Sequence, residues 1–181
     1  IISGSGAEYG VTNKKCYEYH NPNKKITYLG RQKNFIRKLF FKNLEKGISI
    51  IWCRIFYVYG YNQRNESLLK SLINSLKFDK KFKIKSPKTF NDYIYIKDLV
   101  NALIKVTKIN KSNIVNLCNS KPISNLEFVK KFEKVNQRVI KKSIFEQKKK
   151  EINYGSNRKL LDLKWKSKYS LEAAFKDICS Q

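Results

Sequence analysis

The stretch Ile48 to Val58 constrains this chain most. It is a continuous apolar run rich in β-branched and aromatic residues, broken by Cys53 and Arg54 well short of a membrane-spanning length. Such a run suits a strand covered on both faces, as in a parallel sheet. Upstream, Phe35, Ile36, Leu39, Phe40 and Leu44 recur at helical spacing, with Gly47 placed to end the helix. Further upstream, Ile1 to Ser5 reads as the end of a buried strand entering a small-residue loop. A strand, a helix and a strand in that order make a right-handed βαβ crossover the economical solution.

The remaining periodicities continue the alternation. Leu68, Leu69, Leu72, Ile73 and Leu76 predict a helix, Phe82 to Ile84 and Tyr93 to Ile96 short strands, and Asp98 an N-cap for a helix carrying Leu99, Val100, Leu103 and Ile104. Asn113 to Leu117 reads as a strand, and Ser124-Asn125-Leu126-Glu127 as a capping box opening a helix with Phe128, Val129 and Phe132. Past Lys141 the chain is polar to about Asn157, and a final helix from Ser170 places Leu171, Ala174, Phe175 and Ile178 on one face. The expected fold class is α/β: later strands of a Rossmann-like doubly wound parallel sheet, residues 1–60, then a small C-terminal mixed α/β lobe, residues 61–181.

The formal charge of +25 invites a polyanion partner. It comes from only six arginines and 33 lysines, scattered through every predicted helix and loop, with one short cluster at Lys148-Lys149-Lys150. No nucleic-acid-binding motif accompanies them, so no specific nucleic-acid partner is expected. Cys16, Cys53, Cys118 and Cys179 lie far apart and His20 is the only histidine, which leaves no metal site and suggests reduced thiols in a cytoplasmic protein. No membrane partner is expected. The chain holds no methionine and opens on Ile1-Ile2 as if inside a strand, so the later part of a longer protein, or of an interrupted gene, is expected.

The chemistry rests on Ser5, Tyr28 and Lys33, candidate catalytic residues. A tyrosine ionises near pH ~10, too high for a base at neutral pH. A nearby lysine and the positive ring of an oxidised nicotinamide favour the phenolate. A serine hydroxyl aimed at the same substrate oxygen orients it. Together they support removal of a proton from an alcohol as hydride leaves its carbon.

The motifs resemble those of the extended short-chain dehydrogenase/reductases, the NAD-dependent epimerase/dehydratases of nucleotide-sugar metabolism, over that family's later two-thirds. Ile2-Ser3-Gly4-Ser5-Gly6-Ala7-Glu8-Tyr9-Gly10 is similar to the serine motif ending in Tyr-Gly, and Gly30-Arg31-Gln32-Lys33 to the end of Tyr-x-x-x-Lys. Arg54 to Gly60 resembles the strand beside the nicotinamide, Asn91 to Asp98 the Arg-Asp-Tyr/Phe-x-x-Val-x-Asp segment, and Leu163-Lys164-Trp165 the terminal Leu-Gly-Trp. The resemblance implies NAD as cofactor, held by Ser5, Lys33 and Phe56, and a nucleotide-sugar substrate touching Tyr57, Arg64 and Asn91. It implies transient oxidation at a sugar carbon, and it admits a homodimer. A catalytically inactive truncated remnant or binding module of the same fold is the alternative, followed by a basic nucleic-acid-binding protein.

Departures accompany the likeness. Leu29 occupies the position four before Lys33, and Tyr28 stands five before it. Five helical residues turn two side chains about 140° apart, against about 40° for four. Asn91 replaces the arginine expected to grip a diphosphate, and Lys164 stands in the place of the terminal glycine. The glycine-rich phosphate loop and acidic ribose-binding residue of a Rossmann first half are absent from the sequence.

Overall fold

The computed structural model describes all residues except 46, 147, 148 and 181, so Lys148 of the lysine cluster lies outside the described residues. In chain order, β1 (Ile2–Ser5) leads through a 3-10 turn, Gly6–Tyr9, to β2 (Lys15–Cys16) and α1 (Tyr28–Lys42). Next come β3 (Ile51–Ile55), β4 (Tyr57–Tyr59), α2 (Leu68–Phe78), β5 (Phe82–Ile84), β6 (Thr89–Asn91), β7 (Tyr93–Tyr95) and α3 (Ile96–Val106). β8 (Asn113–Leu117), β9 (Ile123–Ser124), α4 (Asn125–Asn136), β10 (Lys142–Ile144), β11 (Glu151–Gly155), α5 (Arg158–Asp162) and α6 (Leu171–Cys179) follow.

β1, β3 and β8 form a parallel sheet with β3 in the middle, Ile2 opposite Trp52 and Ile55 opposite Leu117. β3 is the doubly covered strand that the apolar run predicts, with Ile51 to Arg54 all buried. The run does not continue as one strand. Phe56 N still donates to Leu117 O at 3.2 Å, but Tyr57 N turns to Asp92 O at 3.1 Å, and β4 pairs in parallel with β7. One apolar stretch therefore serves two ladders, because its β-branched and aromatic residues suit either. The architecture is α/β, the later strands of a Rossmann-like parallel sheet with a mixed α/β lobe.

Among the described residues, two larger apolar cores and a small one of Tyr9, Cys16, Phe56 and Cys118 hold it together. α3, α5 and Trp165 cover one face of β3 and β8 through Leu99, Ala102, Val106, Val115 and Leu160. Aromatic packing unites β4 and β7 with α2, α4 and α6: Tyr59, Tyr93, Phe128, Phe132 and Phe175 interleave with Leu69, Leu72 and Ile178. α4 and α6 start where the sequence places them, Ser124 Oγ accepting from Glu127 N and Ser170 Oγ from Ala173 N.

Three expectations differ from the structure. α1 stops at Lys42, where Asn43 N caps Leu39 O, so Leu44 lies outside the helix and Gly47, at φ 88°, terminates nothing. Asp98 does not cap α3, whose N-cap is Tyr95. Buried in the first turn, Asp98 instead accepts from Ser167 Oγ at 2.7 Å and Lys168 N at 2.9 Å, while its backbone oxygen takes Trp165 Nε1 at 3.2 Å. It anchors the last segment of the chain, a long-range role that local pattern cannot reveal. Third, the polar stretch past Lys141 contains β10 and β11, paired in parallel with β5 and β6. Lys164, in the place of the family's glycine, sits at φ 56°, the left-handed region that glycine occupies most easily.

Candidate functional site

A cleft of about 920 Å³ opens at the carboxyl ends of β1 and β3, the place where open parallel sheets put ligands. Five of the seven sequence-predicted site residues line it: Ser5, Phe56, Tyr57, Arg64 and Asn91. Ser5 ends β1 and caps the 3-10 turn, its Oγ accepting from Ala7 N at 3.2 Å, so the hydroxyl hydrogen is what it can offer a ligand. Phe56 is held between glycines: a Cβ on Gly155 would come within 2.7 Å of its ring, and one on Gly6 within 3.0 Å. Tyr57 is half-exposed, and its hydroxyl is pushed above the ordinary phenol range by desolvation and by Glu151, with Arg64 pulling the other way.

Tyr28 and Lys33 are not among the lining residues. Tyr28 is 73% exposed, whereas Leu29 lines the cleft. The cause is a regular helix start. Thr27 Oγ1 accepts from Gly30 N at 3.1 Å and Thr27 O from Arg31 N at 3.0 Å, so α1 is helical from its first residue, with no irregular entry that could swing Tyr28 round. Gly30 makes this seating possible: a Cβ there would meet Ala7 O at 2.2 Å. Lys33, half-buried, reaches the neighbouring strand β1, where Nζ donates to Ser3 O at 2.8 Å.

Behind Ser5 lies an ion cluster that the sequence did not single out. Glu8, fully buried, takes Ser5 N and Trp52 Nε1 at 2.8 Å each and Arg54 Nε at 3.0 Å, with Arg37 Nε at 3.5 Å. Arg54 lies 4.3 Å over the Tyr9 ring, and burial pushes the Tyr9 hydroxyl well up although it donates to Asn116 Oδ1 at 2.8 Å. The apolar-strand pattern around Arg54 was the only available signal, since a charge inside a covered strand requires a buried partner.

Asp92, next to Asn91, ties three segments. Its carboxylate accepts from Asn119 N and Ser120 N at 2.9 Å and from Gly155 N at 3.2 Å. Desolvation outweighs these donors and pushes its pKa up to about 6 from 3.8. A folded-state pKa above the unfolded value means that the folded form binds the proton more tightly. Asp92's contribution is therefore full below pH ~4 and lost as pH rises through about 6. Urea unfolding of wild type should show a loss of about 3 kcal/mol across that window. Asp92→Asn should lack this loss, and identical profiles for the two proteins would refute the assignment.

Among the described residues, no helix is long and apolar enough to cross a membrane, and no group of acidic, cysteine or histidine side chains could hold a metal. Cys16, Cys53 and Cys118 are buried free thiols, and Cys179 is exposed.

The family model described as NAD dependent epimerase/dehydratase family matches residues 1–118. No curated protein sequence matches the chain. Among solved structures, MoeE5 in complex with UDP-glucose and NAD aligns with a TM-score of 0.86 and 18% identity over 99% of this chain and 62% of its own. The Bacillus cereus UDP-glucuronic acid 4-epimerase, with UDP-glucuronic acid and NAD, gives 0.82 and 20% over 98% and 60%. The Thermus thermophilus UDP-glucose 4-epimerase, complexed with NAD, gives 0.83 and 16% over 99% and 62%. At such identities these structures establish a shared fold, and the chain spans about three-fifths of each. Parallel strands, a cleft at their carboxyl ends and a family match over the first 118 residues agree: the chain belongs to the NAD dependent epimerase/dehydratase family.

Proposed function

We propose that this chain supplies the nucleotide-sugar cleft and one wall of the nicotinamide site of an NAD-dependent epimerase/dehydratase. The supporting observation is the cleft itself, which gathers Ser5, Phe56, Tyr57, Arg64 and Asn91 at the ends of parallel strands. The residues present fit NAD on that wall alone. Phe56, pinned between Gly6 and Gly155, offers a flat apolar face and Ser5 a hydroxyl, while Lys33 donates to Ser3 O within β1 and does not line the cleft. No glycine-rich phosphate loop occurs in the chain to seat the pyrophosphate. When bound, NAD would supply transient hydride acceptance. The chain's own residues would orient the sugar, with Ser5 donating to its oxygen and Arg64 answering the phosphate charge.

One observation favours the second reading, a binding module without catalysis. Leu29 carries no exchangeable side-chain proton and faces the cleft where the proton-transfer tyrosine would stand. Tyr28, exposed at the start of α1, does not replace it. On this reading the chain binds nucleotide sugar and leaves it unchanged.

Calorimetry of the 181-residue chain with UDP-glucose in 0.15 M salt tests both. A saturable one-to-one isotherm, weakened severalfold by Tyr57→Ala, is expected. Its absence from the folded chain would end the nucleotide-sugar proposal. Incubation with UDP-glucose and NAD should leave the sugar unconverted, and any turnover above background would overturn the inactive reading.

A further inference from the structure

Lysines that look scattered along the sequence are gathered by one ladder. Residues 77–85 and 138–145 hold eight of the basic side chains in 17 positions, against 39 in 181 for the whole chain, and Asp79 is the only acid among them. Pairing of β5 with β10 brings the two segments together: Ser143 stands opposite Lys83, Phe82 N donates to Lys141 O at 2.7 Å, and Phe145 N donates to Ile84 O at 3.0 Å. Arg138 Nη1 donates to Leu76 O at 3.1 Å, which joins the end of α2 to the same surface.

Alternation along the strand then sorts the side chains. Phe82 and Ile84 enter the aromatic core, while Lys81, Lys83 and Lys85 are exposed on the other side, about 7 Å from one to the next. Lys83 Nζ lies 4.2 Å from the centre of the Phe145 ring, so that ring shares the outer face with the lysines, and it is still 46% exposed. Phe78, also exposed, stands beside Lys77 and Lys80, at 5.7 and 5.5 Å. Asp79 is engaged by Lys141 at 2.6 Å and faces Arg138 at 3.8 Å. Lys81, Lys83 and Lys85 form no ion pair among the described residues.

We propose that the outer face of the β5–β10 ladder binds single-stranded nucleic acid without sequence preference, Lys81, Lys83 and Lys85 answering backbone phosphates and the Phe145 ring stacking on a base. A row of cations along an extended strand suits a linear polyanion, and an exposed ring beside the row suits unpaired bases, whose faces a duplex hides. A lipid surface fits less well, because Lys83 lies over the ring that would have to insert. No reading of base edges is needed, in keeping with a sequence that carries no nucleic-acid-recognition motif. These four residues are not among those lining the cleft, so the inference stands apart from the nucleotide-sugar reading.

Fluorescence anisotropy of a labelled oligothymidylate of about 15 nucleotides with the 181-residue chain tests this. At about 0.05 M salt a dissociation constant of roughly micromolar order is expected, tighter than for a duplex of the same length. Lys81→Gln/Lys83→Gln/Lys85→Gln should weaken the single strand about tenfold or more and flatten the slope of log K against log salt by about 2. Lys108→Gln/Lys111→Gln/Lys166→Gln removes as much charge from exposed positions elsewhere and should change affinity less than about threefold. Phe145→Leu should weaken binding about tenfold. Every substituted side chain is exposed, so loss of the fold does not confound the comparison. Equal losses in the two lysine variants would overturn the assigned face, and an unchanged affinity in Phe145→Leu would overturn the stacking contact. A duplex bound as tightly as the single strand, or binding to phosphatidylserine vesicles and not to the oligonucleotide, would overturn the partner class, and no binding at all would overturn the inference whole.

Discussion

Glu8→Ala should lower the free energy of unfolding by about 3–5 kcal/mol. Glu8 is fully buried and Arg54 only 2% exposed, so removing the carboxylate strands a guanidinium in a dry interior. Arg37, at 3.5 Å, loses the same partner, and Ser5 N and Trp52 Nε1 lose their acceptor. The double variant Glu8→Leu/Arg54→Met should recover much of the deficit, because an apolar pair of similar volume avoids leaving a charge unpaired. Urea midpoints of the three proteins measure it. A loss under about 1 kcal/mol for Glu8→Ala would mean that the cluster is solvated rather than buried.

Phe128→Ala should cost about 3–5 kcal/mol. Its ring lies 4.3 Å from that of Tyr93, 4.9 Å from Phe175 and 5.6 Å from Tyr59, joining α4 to α6 and to the β4–β7 ladder. Those edge-to-face and tilted contacts add to the area that burial removes from water. Phe128 also lines the cleft, as does Asn125, so the void would open onto the cleft wall. Chemical denaturation should show a lower midpoint with an unchanged slope, and a midpoint within experimental scatter of wild type would contradict the packing role.

The sequence carried the parts of this fold that depend on short-range pattern. Helical spacing in Leu68 to Leu76 and in Leu171 to Ile178 marks α2 and α6, and Ser124 and Ser170 mark helix starts, because capping and amphipathicity are local. What it hid is long-range. Asp98 looks like a cap until Ser167 and Lys168 arrive about 70 residues later. The strand at Glu151–Gly155 is only half-buried, so it lacks the alternation that reveals a strand. The cleft was legible through Ser5, Phe56, Tyr57, Arg64 and Asn91, all at strand ends or just past them. Which way Tyr28 and Leu29 face was a matter of helix phase, set by the Thr27 cap and by the contact of Gly30 with Ala7. Glu8 escaped notice because its partners Arg54 and Trp52 lie more than 40 residues away.

The strand pairings carry a consequence for how the chain reaches this state. Every ladder among the described strands is parallel except β6 with β9, and those two stand more than 30 residues apart. None of these strands is joined to its partner by a tight hairpin turn. No ladder can therefore begin as a local event; each waits for a long loop to close, and the entropy of that closure is lost before any hydrogen bond returns it. The helices can form early, while the sheet that builds the cleft assembles last and slowly, on the millisecond-to-second scale of topologies dominated by distant contacts. Until it does, the apolar segments of β3 and β4 stay exposed, and crowding of nascent chains acts on them before it can act on the finished cleft.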